Sequence, residues 1–465
     1  MRRILLAILV LTLAAAGLTY LVAGRGAPPA ITIDQPERLI GQAGTLEVTV
    51  SAPDSRLSSF QIVLEQGETS TPLFSLENPG DATLTQVDAD RVRVSRPLGK
   101  TSLPTLQPGA ARLVVTASRP SLLNLRTLQS SSARDFQVRL DPPRLAVTST
   151  HHYINHGGSE LVVFRLSPPD AMAVIRAGEY EYPTFAASDA GVAATPDSGL
   201  RVGFFAILHE QDLNTPVNLV ARDEAGNEAS SSFVDRRFPQ PVRRSRIQLD
   251  DRFLSRVVPE ILQRSPELGL SAPSGDLLPA FLRINRELRQ INADQIRAAT
   301  ASTSPKKLWD QPFAQLSNSK VEASFADHRT YFYNGEEVDQ QVHLGFDLAV
   351  TAAVPVTAAN AGRVVHAGWL GIYGNSVIVD HGLGVSTLYA HLSSVEVKPA
   401  DTVGRGQPLG RSGMTGLAGG DHLHFTVLLN GHPVNPVEWW DPLWTRDRVD
   451  RKLKEAGGPP APSTP

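Results

Sequence analysis

Seven of the twelve histidines fall between His343 and His432, and three short contexts in that stretch hold side chains able to bind a metal or move a proton. The first is His343-Leu344-Gly345-Phe346-Asp347. On one straight strand its two polar side chains would share a face about 13 Å apart, too far for one ion. Gly345 permits a bend that lets them converge. The second is Asp421-His422-Leu423-His424-Phe425-Thr426, which runs on to Asn430-Gly431, a hairpin signal that puts both histidines on a strand. Residues i and i+2 point to one face, about 6.6 Å apart. One imidazole can then bind a metal while its neighbour reaches a water or a substrate oxygen. Two histidines on a wetted sheet face are the plainer reading of the same pair. The third context is Thr387-Leu388-Tyr389-Ala390-His391-Leu392, where alternation sets Thr387, Tyr389 and His391 on a polar face that a groove could use.

In this order the three contexts resemble the M23 metallopeptidases, the lysostaphin- and LytM-like family of peptidoglycan endopeptidases. The resemblance covers residues 320–442 and takes in Ala358 to Gly368, Tyr373-Gly374-Asn375, Asp380-His381-Gly382 and the Gly404 to Gly413 turns. It implies an antiparallel β metallopeptidase domain in which His343, Asp347 and His424 bind Zn²⁺ and His391 and His422 form the catalytic pair. It also implies that Tyr373 and Asn375 contact substrate. Coordination chemistry agrees, because two imidazoles and one carboxylate leave a fourth tetrahedral position open, as a catalytic zinc requires. The implied activity is zinc-dependent hydrolysis of amide bonds in peptidoglycan peptides or cross-links by activated water. Two positions depart from the commonest family form: Gly420-Asp421 stands where Gly-Pro is usual, and Thr426 where Glu or Gln is frequent. Neither is expected to touch the metal shell. The alternative is a non-enzymatic regulator or scaffold of envelope hydrolases, which the survival of all five site residues disfavours.

A chain of 465 residues is too long for one core and implies about three domains. Hydrophobic content of 41% and charged content of 20% are those of folded protein. A net charge of −3 argues against a dedicated nucleic-acid partner. With no cysteine there are no disulfides, no thiolate nucleophile and no cysteine-ligated metal, so a metal must be held by His, Asp and Glu.

The elements that must position these residues are mainly β, in several domains. Met1-Arg2-Arg3 precedes an apolar run from Ile4 to Ala23, long enough as a helix for a bilayer core of about 30 Å. Residues 1–25 read as a single-pass membrane anchor or, alternatively, a cleaved signal segment; either puts the bulk of the chain in the periplasm or extracytoplasmic space. Alternating strand signals over 30–141 indicate a β-sandwich module. A second, Ig-like β module is expected over 144–237; the modules read first as spacers, with docking of envelope proteins as the alternative. Arginines 236, 237, 243, 244 and 246 crowd what reads as a solvated linker. Residues 247–300 turn helical: Leu277, Phe281, Ile284, Leu288 and Ile291 form one apolar stripe, with Asp276 as N-cap. The stripe serves either dimerisation or packing on a neighbouring domain. Residues 456–465 read as a disordered tail.

Overall fold

A computed structural model describes residues 2–23, 27–52, 56–121, 126–193, 199–270 and 275–456. All but the first residue of the expected tail lies outside that set. Helix α1 (Arg2–Ala23) contains Ile4–Leu21, a stretch apolar and long enough to cross a membrane; an N-terminal signal sequence passes the same test.

The chain divides into two compact units, one of residues 1–143 with 222–229 and the other of 144–221 with 230–465. In the first, a four-stranded and a five-stranded sheet contribute to one hydrophobic core. Strand Thr45–Ser51 shows why the sequence folds so: Leu46, Val48 and Val50 are buried while the residues between them are not.

The second unit carries the chemistry. Its main sheet has eight strands. They run in the order Lys320–Ala323, Phe346–Ala349, His422–Leu429, Val385–Leu392, Asn375–Gly382, Gly362–Trp369 and Thr402–Val403, with His432–Val434 hairpinned onto His422–Leu429. Its pairings are antiparallel. Both faces are covered. Leu423, Phe425, Val427 and Tyr389 join a core that also holds Phe204 and Leu161, so the β module of 144–221 shares its interior with the C-terminal domain. Trp439 is the keystone, with ring centroids 5.4 Å from both Phe204 and Phe313. On the other face, Leu388, Ala390 and Leu428 pack with Ile296.

One segment differs from expectation. The arginine-rich linker is largely extended and paired: Arg236–Phe238 runs parallel to Tyr153–Asn155, and Arg243–Leu249 runs parallel to Asp327–Tyr333. Alternation within Arg243–Leu249 leaves Ile247 partly buried and Leu249 buried while the arginine side chains stay wet. The helical region is built of helix α2 (Asp251–Arg264), capped by Asp250 accepting from Phe253 N at 2.7 Å, then helix α3 (Leu278–Arg283) and helix α4 (Arg289–Thr300). A π-helical stretch, Ile284–Leu288, joins the last two into one rod. Phe281, Ile284 and Leu288 are fully buried against α2, Tyr331 and Ile372, so the apolar stripe packs inside this unit.

A buried ion pair bolts the module to the domain. Lys452 Nζ donates to Glu160 at 2.7 Å and to the Leu161 carbonyl at 2.8 Å, with both side chains almost completely buried. Burial pushes the Glu160 carboxyl up and the Lys452 amine down, and their mutual attraction opposes both shifts. Lys452→Met is expected to cost about 3–5 kcal/mol, because it strands a buried carboxylate. Arg448, 3.8 Å from Glu160, offers only partial relief. Lys452→Met with Glu160→Gln, neutral at both places, should lose less. Urea midpoints for the wild type and the two variants decide it, and an unchanged midpoint in Lys452→Met would remove the bolt from the account.

Candidate metal centre and active site

The strand Glu336–His343 ends at His343, and Phe346–Ala349 begins after two intervening residues, so Leu344-Gly345 is a break between strands. That break converts the 13 Å of a straight strand into a contact: His343 Nε2 lies 3.0 Å from Asp347 Oδ1. Gly345 is needed here for space. A Cβ on it would stand 2.5 Å from His424 Nε2 and 2.6 Å from Thr426 Oγ1. Register supplies the third group, since Asp347 and His424 are direct cross-strand partners. His424 Nδ1 is 3.0 Å from both His343 Nε2 and Asp347 Oδ1.

The outward atoms of this triangle fix the protons. His343 Nδ1 is 3.1 Å from the Ser324 carbonyl, which can only accept, so Nδ1 carries the hydrogen. Thr426 Oγ1 donates to the Leu344 carbonyl at 3.0 Å and therefore accepts from His424 Nε2 at 3.0 Å. Arg329 Nη2 holds Asp347 Oδ2 at 2.7 Å, leaving Oδ1 for the centre. In their neutral forms both imidazoles thus turn lone pairs inward beside a carboxylate oxygen. Burial pushes His424 down to about 4 and so keeps it neutral. Burial alone would raise Asp347, but His343, His422 and His424 hold its carboxyl well below the usual range. His343, Asp347 and His424 form a group that could hold a metal ion. Zinc bonds of about 2.0–2.1 Å in a tetrahedron put donors about 3.3 Å apart, so edges near 3 Å need only a slight opening. The residues fit the ion.

His391 and His422 stand beside this group, with ring centroids 4.9 Å apart. His422 donates Nδ1–H to Gly420 O (2.9 Å) and sets Nε2 3.4 Å from Asp347 Oδ1. His391 donates Nδ1–H to Thr415 O (2.8 Å). It reaches the cleft by an unexpected route. Thr387 and Tyr389 are buried in the core on the opposite face, and simple alternation would carry His391 there too. Its backbone instead takes φ +62°, which leaves strand geometry and brings the ring to His422 and His424. Burial, reinforced by the two neighbouring imidazoles, holds His391 well below its ordinary value; His422 is raised because Asp347 outweighs its burial.

The group opens into a cavity of about 420 Å³. Tyr373 lines it, its ring 5.5 Å from that of His424. Asn375 does not line it: its side chain accepts from Arg264 at 3.0 Å and donates to the Leu392 carbonyl at 3.1 Å, which secures the turn carrying Tyr373. His381 is wholly buried in the strand Asn375–Gly382 between Ala361 O and Thr387 Oγ1, a structural residue. His328 is exposed, whereas its neighbour Arg329 faces the site; period-two alternation along Asp327–Tyr333 was the available signal. Thr426 corrects the expectation that neither departure touches the metal shell, since it orients His424. Asp421 stays outside, accepting from Ser412 at 2.6 Å.

Thr426→Val keeps the shape but removes the acceptor for His424 Nε2–H. Metal affinity should fall by about 10–100-fold, measured by competition with a chelator; an unaltered affinity would mean that Thr426 does not set the tautomer.

Residues 341–436 match the model for peptidase family M23. The DD-carboxypeptidase/endopeptidase Mpg of Neisseria meningitidis serogroup B (strain ATCC 13091 / M2091) is 42% identical over 97 residues, 21% of this chain and 22% of that protein. The peptidoglycan DD-endopeptidase ShyA of Vibrio cholerae serotype O1 is 40% identical over 96 residues, 21% of this chain and 22% of that protein. This chain therefore spans about a fifth of the length of these relatives. The catalytic domain of the antimicrobial peptidase lysostaphin from Staphylococcus simulans aligns with 26% of this chain and 92% of its own at 30% identity and a TM-score of 0.23. With its His-x-x-x-Asp and His-Leu-His pairs inside the matched stretch, the chain carries a domain of peptidase family M23.

Proposed function

We propose that this protein is a zinc-dependent endopeptidase that cuts amide bonds in peptidoglycan peptides or cross-links at the cell envelope. The carrying observation is the 3.0 Å triangle of His343, Asp347 and His424, whose protons are all directed outward, beside two further imidazoles. His343, Asp347 and His424 would hold Zn²⁺. Once bound there, the ion supplies Lewis-acid polarisation of the scissile carbonyl and lowers the pKa of a water towards neutrality.

The chain's own groups do the rest. His391, kept neutral by burial, offers Nε2 as the proton acceptor for the attacking water. His422, raised by Asp347 and with its Nδ1–H spent on the Gly420 carbonyl, carries a second proton on Nε2 that it donates to the developing oxyanion, and the proton taken up by His391 passes to the leaving amine. Tyr373 stays a neutral phenol because burial raises it, and contacts substrate at the cavity wall. Asn375 supports that contact by holding the turn. Helix α1, as anchor or export signal, would deliver the domain to the envelope, and the name of the relative ShyA, a peptidoglycan DD-endopeptidase, favours peptidoglycan as the polymer.

Purified intact protein should release fragments from isolated cell walls, with the bond identified by mass spectrometry, and His343→Ala should release none. Equal release by both would sink the metal mechanism; none by either would favour the non-enzymatic regulator. His391→Ala should keep its full metal content yet lose about 10²–10⁴-fold in kcat. A near-normal rate would take His391 out of the reaction.

A further inference from the structure

The cavity that holds the histidine cluster has a neighbour of about 510 Å³, walled by α4, the Leu208–Glu210 segment of the β module and His432. Two residues line both cavities, Tyr373 and Arg289. Around them most of the charges are matched. Arg329 bonds Asp347 and Asp327, Glu210 takes His209 at 2.7 Å and Tyr180 at 3.0 Å, and Arg297 bonds Asp294. Arg289 is different. Among the described residues no carboxylate pairs with it, although it is half-buried at the junction.

Its guanidinium is nonetheless held in place. Nε donates to the Asn285 carbonyl at 3.1 Å and Nη2 to Asn285 Oδ1 at 2.6 Å, while the fully buried Asn285 amide is itself anchored on Asp339 at 2.8 Å. Nη1 makes no hydrogen bond among the described residues. A partly desolvated cation, fixed by neutral acceptors and lacking a counter-ion, is a preformed anion receptor. It stands beside Tyr373, whose ring touches the His424 edge of the reaction centre.

We propose that Arg289 receives a carboxylate of the bound peptide and so sets which peptides present their amide to the cluster. This rests on the hydrolytic reading for the site but concerns a residue that lies before the matched stretch 341–436. A wall peptide carries such a group at its C-terminus and on side branches of its stem, and either would make the same charge-assisted bond.

The test uses the metal-free full chain and a fluorescent stem pentapeptide in three forms: all acid, amidated at its C-terminus, and amidated at its branch carboxylates. By anisotropy, the all-acid form should bind at least about tenfold more tightly than one of the amides, and which amide is weaker names the source. Arg289→Gln should erase that difference and Arg289→Lys retain part of it, with melting and metal uptake unchanged. Equal binding of all three forms by the wild type, or no binding, overturns the proposal, as does discrimination that persists in Arg289→Gln. The wild-type comparison decides even should a variant fail to fold. Cleavage is followed in parallel on the zinc-loaded chain: discriminating binding without cleavage leaves Arg289 standing and removes the hydrolytic reading alone.

Discussion

Three electron-rich atoms held 3.0 Å apart, with every proton turned outward, repel one another unless a cation sits among them. The scaffold has to enforce that arrangement. It does so through groups that can act in one direction only: the Ser324 carbonyl can only accept, and Thr426 has already given its hydrogen to Leu344 O. Arg329 takes the second oxygen of Asp347 and balances its charge, so a divalent ion at the centre would keep more of its own. Even the strand break at Leu344-Gly345 serves the same constraint, because a β-carbon there would occupy the space of the His424 ring.

Holding such a cluster calls for rigid elements, and the sheet is covered on both faces. One face packs against a core shared with the β module and Trp439, the other against α4. Asn292 on α4 accepts from Ile372 N at 2.9 Å, and Arg256 on α2 reaches the Ala418 carbonyl at 2.5 Å, so the helices grip the turn and the loop that border the cleft. Deviations from regular geometry gather where side chains must be redirected. The positive φ of His391 and the π-helical stretch immediately before Arg289 are two such places.

Much of the centre was legible from residue spacing. His422 and His424 lie on a strand with Leu423 and Phe425 turned to the core, as period-two alternation requires. The convergence of His343 and Asp347 followed from a break at Gly345, though the reason for glycine there is steric and only the folded neighbour reveals it. Alternation also assigned His391 to a polar face with Thr387 and Tyr389, and that face proved to be core. A single residue in left-handed geometry defeats a periodic argument, and nothing local in Ala390-His391-Leu392 announces it. The arginines at 243–246 looked like solvated linker because strand pairing to Asp327–Tyr333 is a contact over more than 80 positions, invisible to local pattern. Thr426 departs from the commonest family form in the sequence, but its bond to His424 depends on which way a ring nitrogen points.

Chemistry and selection are written in different parts of the chain. The proposed ligand and proton-transfer residues all fall inside the matched stretch 341–436, yet the cavity they open into takes other walls from Ser245, Phe253, Arg289 and Glu322. Those four lie on two helices and two strands, one of the strands, Lys320–Ala323, belonging to the main sheet itself. The proposed cluster of five side chains would tolerate little variation, since each atom in the triangle is positioned by one specific partner. Walls supplied by separate elements can change without disturbing those partners. Charge at the wall can therefore tune which peptide enters while the triangle stays as it is, and an unmatched, preset cation such as Arg289 is where such tuning leaves its mark.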